Sequence, residues 1–106
     1  MPREPADVVF AALADPTRRR ILQQVADEGP LTATSLTADL PISRQAIAKH
    51  LAQLRAAGLV DADRTGRETR FVARPEPLHT LATWAESTGN RWDRRLTRLR
   101  DLVEDR

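Results

Sequence analysis

Two groups of side chains carry the chemistry this sequence offers, and both suit nucleic acid. The first is the run Ser43-Arg44-Gln45, followed by Ala48 and Lys49. In a major groove, arginine pairs bidentately with guanine and glutamine with adenine, each worth about 1–3 kcal/mol of discrimination. Lys49 suits a phosphate better than a base, and the small Ala48 and Ala52 let a helix approach closely. Ser43 is first a helix cap, with a hydroxyl that can also donate to a phosphate. The second group is Arg64, Arg67 and Arg70 around Gly66, cations fitted to a narrow minor groove and its phosphates. Arg70 has a competing use, pairing with Glu68 or with Asp63 across a strand ladder.

Charge distribution supports the same reading. The chain as a whole carries only +2, with 17 basic and 15 acidic residues among 106. Between Arg44 and Arg74, however, seven bases face three acids, a local net of 7 − 3 = +4. Such a basic middle is the electrostatic footprint that nucleic acid attracts. Enzymatic readings fail for want of groups. His50 and His79 lie apart with no nucleophile–base–acid set, no glycine-rich phosphate loop exists, and zero cysteines exclude thiol chemistry and disulfides. His50 is expected at the edge of the core, as a satisfied packing histidine or a phosphate contact.

The elements that must position these groups follow from local signals. Val9, Phe10 and Leu13 at helical spacing predict a first helix over 6–14. Asp15-Pro16 is an N-cap followed by proline at N1, opening a second helix with Ile21, Leu22 and Val25 inward, ended by Gly29-Pro30. Thr32 and Ser43 each cap a helix, with staples Leu31/Leu36 and Ile42/Ile47. The first of these runs to about Asp39, and the tight Leu40-Pro41-Ile42 link makes the pair a helix-turn-helix over 32–57. On the second of the pair, Ile47, Leu51 and Leu54 must face the core, so Gln45, Ala48, Lys49 and Ala52 point away, with Arg44 on the shoulder. Gly58 fits a left-handed cap with Leu59 folding back on Leu54. Two short strands around Thr65-Gly66-Arg67 predict a β-hairpin wing over 59–74.

Pro75-Glu76-Pro77 then opens a last helix over 77–104, roughly 45 Å long if continuous. Its heptad-like seam is Leu78, Ala82, Ala85, Gly89, Trp92, Leu96, Leu99 and Val103. A domain this small cannot bury so long a stripe, which therefore reads as a dimer interface, while Ser87-Thr88-Gly89-Asn90 is a place where the helix could be interrupted. The fold class expected is mainly α with a small hairpin (α+β), a single winged helix-turn-helix domain. No apolar run approaches the roughly 18 residues that span a bilayer, and Met1 to Asp15 does not read as a signal peptide. The expected location is a bacterial-type cytoplasm.

With these residues in hand the chain resembles the ArsR-type winged-helix repressors. The matching strings are Asp15-Pro16-Thr17-Arg18-Arg19-Arg20-Ile21-Leu22, Ser43 through Leu51, Ala57-Gly58-Leu59-Val60 and Gly66-Arg67-Glu68. The likeness spans about Val8 to Leu102. It implies a homodimer paired through the first and last helices, with Phe10, Leu78, Ala85, Trp92, Leu96, Leu99 and Val103 at the interface. Each second helix of the motif would enter one half of an imperfect palindrome in double-stranded operator DNA near the protein's own promoter. Metal-sensing relatives use cysteines, or paired histidines and carboxylates on the last helix. This chain has no cysteine and offers there only His79 with Glu76, Glu86 and Asp93, so it resembles a metal-independent subgroup with no cofactor and no identified inducer. The competing readings are a winged-helix protein-interaction module and a nonspecific architectural DNA binder.

Overall fold

The computed structural model describes the backbone of residues 4–104 and the side chains of residues 4–102. Five helices and one hairpin follow in the order α1 (Pro5–Leu13), α2 (Pro16–Glu28), α3 (Ala33–Leu36), α4 (Arg44–Ala56), β1 (Val60–Thr65), β2 (Glu68–Ala73) and α5 (Glu76–Glu104). Polar caps start the inner helices where local chemistry requires. The Asp15 carboxylate accepts from the Thr17 and Arg18 N–H groups at 2.7 and 3.3 Å. Thr32 and Ser35 exchange side-chain bonds with each other's backbone N–H at 3.0 Å, and Ser43 Oγ accepts from Ala46 N–H at 3.1 Å. Helix α3 stops at Leu36 and continues as turns, shorter than the expected reach to Asp39, because Thr37 N–H turns back to the Thr34 carbonyl.

The core is one cluster in which Ile21, Val25, Leu36, Ile47, Leu51 and Leu54 are sealed from solvent between α2, α3 and α4. At the end of α4, Gly58 has φ +76°. The Leu59 N–H reaches the Leu54 carbonyl at 3.0 Å and the Gly58 N–H reaches that of Arg55 at 2.9 Å. This is the Schellman pair, and it turns the chain straight into the wing with Leu59 and Val60 buried. The hairpin register pairs Thr65 with Glu68, so its loop is the two residues Gly66-Arg67, with φ +64° at Gly66. Glycine in the first loop position suits the right-handed twist of the strands. A third short partner, absent from the sequence reading, is Leu31, which exchanges backbone bonds with Phe71 at 3.1 and 2.8 Å. That bridge ties the wing to the start of α3.

Helix α5 runs 29 residues without interruption at Gly89. Its first turns pack on α1, with Leu81 against the core and Trp84 against Phe10. Beyond Thr88 every described side chain is exposed. The molecule is accordingly 71 Å long but only 29 × 23 Å across. Its radius of gyration is 19.0 Å, against about 13 Å for a compact chain of this length.

Candidate nucleic-acid interface

Helix α4 is anchored by Ile47, Leu51 and Leu54 on one face, which leaves Arg44, Gln45, Ala48, Lys49 and Ala52 exposed on the other. Arg44, Gln45 and Ala48 do not face open solvent alone. They line one side of a cleft of about 670 Å³ whose other walls are Thr32 to Ser35 of α3 and Arg67, Glu68, Thr69 and Phe71 of the wing. The tip arginine and the first turn of α4 thus border one concavity. Ser43 accepts the cap bond through its oxygen, and Lys49 stands exposed outside the cleft.

The hairpin separates the other two predicted arginines. Residues opposite in an antiparallel ladder share a face, and successive residues alternate. Arg64 is opposite Thr69 and Ala62 opposite Phe71, so Arg64 lies on the face that bears the cleft wall. Arg70 is opposite Asp63 on the back face, where its guanidinium bonds Glu68 Oε2 at 3.2 Å. Of the two partners expected for Arg70, Glu68 on the same strand is the one it meets, and Asp63 across the ladder is not. Behind the hairpin, Arg74 pairs with Asp61 at 2.8 Å.

Three features take their detail from the tertiary structure. Thr32, Thr34, Ser35 and Phe71 border the cleft because the Leu31–Phe71 bridge brings α3 and β2 together. Arg18 is a structural clamp: Nε and NH2 donate to the carbonyls of Ala12 and Ala11 at 2.6 and 3.1 Å, and NH1 donates to Gln53 on α4. It satisfies carbonyls left open at the end of α1 and links that helix to α4. His50 is half-buried as expected, and its Nδ1 is enclosed with no protein hydrogen-bond partner among the described residues. Burial raises the Asp15 carboxyl pKa. The Thr17 and Arg18 N–H bonds, with the charges of His50 and Arg18, outweigh that and hold it below its ordinary 3.8.

Of the seam, Leu78, Ala85, Trp92, Leu96 and Leu99 are exposed, as is Phe10, whereas the side chain of Val103 lies outside the described residues. Among the described residues no three His, Cys, Asp or Glu side chains gather as a metal site would require. No helix there is long and apolar enough to cross a membrane.

A short helix, a tight turn, a second helix with its polar face outward and an adjoining hairpin define a winged helix-turn-helix protein. Residues 13–62 match the helix-turn-helix domain family. The chain is 44% identical over 87 residues to the uncharacterized HTH-type transcriptional regulator YuzN of Bacillus subtilis, across 76% of this chain and 95% of that one. It is 37% identical over 98 residues to the HTH-type transcriptional regulator Rv2034 of Mycobacterium tuberculosis, across 92% and 88%. A solved ArsR-like transcriptional regulator from Rhodococcus sp. RHA1 superposes with a TM-score of 0.81 at 44% identity, covering 92% of each chain. The chain belongs to the ArsR-type winged helix-turn-helix transcriptional regulators, which are DNA-binding proteins and not enzymes.

Proposed function

We propose that the protein is a homodimeric, sequence-specific repressor that binds an imperfect palindrome at its own promoter and occludes polymerase. The observation that carries this reading is the single cleft bordered by Arg44, Gln45 and Ala48 of α4 and by Arg67 of the wing. With α4 in the major groove, Arg44 addresses guanine, Gln45 adenine, and Ala48 a thymine methyl or close backbone. Lys49 and the Ser43 hydroxyl meet phosphates on one flank. Arg67 and Arg64 meet phosphates, or a narrowed minor groove, on the other. Arg70, occupied by Glu68 on the back of the hairpin, contributes little.

Dimerisation is supported by area. The chain exposes 7961 Å², about 2,000 Å² more than a compact monomer of its mass. A standard interface takes only about 800 Å² per partner. The excess coincides with the apolar seam of α5, where Trp92 is 58% and Leu99 59% exposed. Two copies joined along α1 and α5 would present two α4 helices to half-sites one helical turn apart, about 34–36 Å.

Fluorescence anisotropy on the DNA upstream of its own gene, against a scrambled duplex across a salt series, tests the reading. The expected result is about a thousandfold preference with a negative salt slope. Equal, steeply salt-dependent binding to both duplexes would instead mark an architectural binder. Absence of binding to any member of a random-sequence pool would mark a protein-interaction module.

A further inference from the structure

We propose that the cleft between α4 and the wing is also a binding site for a small anion with a flat apolar body, such as an aromatic carboxylate, whose occupancy excludes DNA. The inference rests on the reading of Arg44 and Arg67 as DNA contacts, and adds a second ligand for the same groups. The volume, about 670 Å³, lies within the roughly 300–1,000 Å³ of small-molecule sites. Its rim carries Arg44 and Arg67, neither of which is ion-paired among the described residues, and the acid beside them, Glu68, is held by Arg70.

The floor is what departs from a pure phosphate seat. Ala33, Ala48 and Phe71, the last also packed on the core, give it an apolar lining. Past Phe71 an adjoining hollow of about 480 Å³ continues the same surface along Ala48, Ala52 and Ala56, with Arg55 at its edge. A phosphate group alone leaves these apolar side chains uncovered, whereas an aromatic ring covers them. Offset stacking on Phe71 and guanidinium stacking from the rim both favour a planar body. The carboxylate then takes the two guanidiniums that DNA would otherwise use. No moving part is required, because ligand and duplex compete for the same arginines.

The test titrates 2-naphthoate into the ¹⁵N-labelled full chain and then into the protein–DNA mixture. A dissociation constant on the order of 1 mM is expected for so small a probe. Amide shifts should map to Ala33, Arg44, Ala48, Arg67 and Phe71. Arg44→Gln with Arg67→Gln, or replacement of the probe by neutral 2-naphthamide, should weaken binding at least fivefold, and Ala48→Leu should fill the floor and remove it. At ten times its dissociation constant, 2-naphthoate should raise the apparent Kd for DNA about tenfold or more. Shifts confined to α1 and α5, equal affinity for the amide, or DNA affinity unchanged at saturating probe would each overturn the inference. A protein that binds no duplex fails the DNA reading alone, and the amide-shift map then decides the site by itself.

Discussion

Phe10 of α1 and Trp84 of α5 meet edge to face, with ring centroids 5.1 Å apart and planes at 82°. The contact, together with Leu81 on the core, fixes the first turns of α5 to the domain. It also sets the direction in which the remaining turns project, and leaves Phe10 and Trp84, like Leu78, partly exposed. An apolar surface running from this pair to Leu99 is what a second copy would cover.

Charge placed in that seam should separate the copies. Leu96→Asp or Leu99→Asp is expected to weaken self-association by about 2 kcal/mol or more, seen as monomers in sedimentation velocity with helical circular dichroism retained. Persistent dimers would move the interface off α5.

Base reading and backbone holding should come apart by mutation. Arg44→Ala and Gln45→Ala are each expected to cost about 1–3 kcal/mol on the preferred duplex and to flatten the preference over a scrambled one. Anisotropy on the two duplexes, side by side, measures both quantities.

On the wing, the tip and the back face of the hairpin predict opposite outcomes. Arg67→Ala should weaken every duplex alike and reduce the salt slope by about 1. Arg70→Ala should leave DNA affinity within roughly twofold, since an exposed ion pair such as Arg70–Glu68 is worth about 0–1 kcal/mol and Arg70 does not border the cleft. A larger effect at Arg70 than at Arg67 would reverse the assignment of faces.

The cap of α2 predicts a pH dependence. The native Asp15 carboxyl titrates below 3.8, so its ionised form is favoured by folding. That contribution is present above the unfolded value and is lost as pH falls through the native one. Asp15→Ala should lower the melting temperature at neutral pH, and the gap from wild type should close as the buffer is taken below the ordinary carboxylate range. A gap that persists in acid would assign the loss to packing instead.

Gly58 supplies the remaining local test. A Cβ there would meet only Pro77 Cγ at an ordinary 3.5 Å, so the obstacle to Gly58→Ala is the backbone at φ +76°. The expected cost is about 1–2 kcal/mol, or roughly 4–16 °C in melting temperature for a domain of this size.

The sequence by itself determined the helix starts at Asp15, Thr32 and Ser43, the stop at Gly58, the hairpin around Gly66 and the outward face of α4. Each depends on side chains acting on backbone within about five residues, so the deciding partners are neighbours in the chain. Tertiary structure alone decided the rest. Strand alternation puts Arg64 and Arg70 on opposite faces, but only the packing of Phe71 and its bridge to Leu31 selects which face turns toward α4. The heptad pattern omitted Leu81 and Trp84 because their partners lie on α1 and in the core rather than along a coiled-coil seam. What Arg18 holds is decided only when the ends of α1 and α4 come within its reach. The cleft itself joins residues from Thr32 to Phe71, nearly 40 positions apart. Contacts over that separation form only when the shared core closes, and no local propensity encodes them.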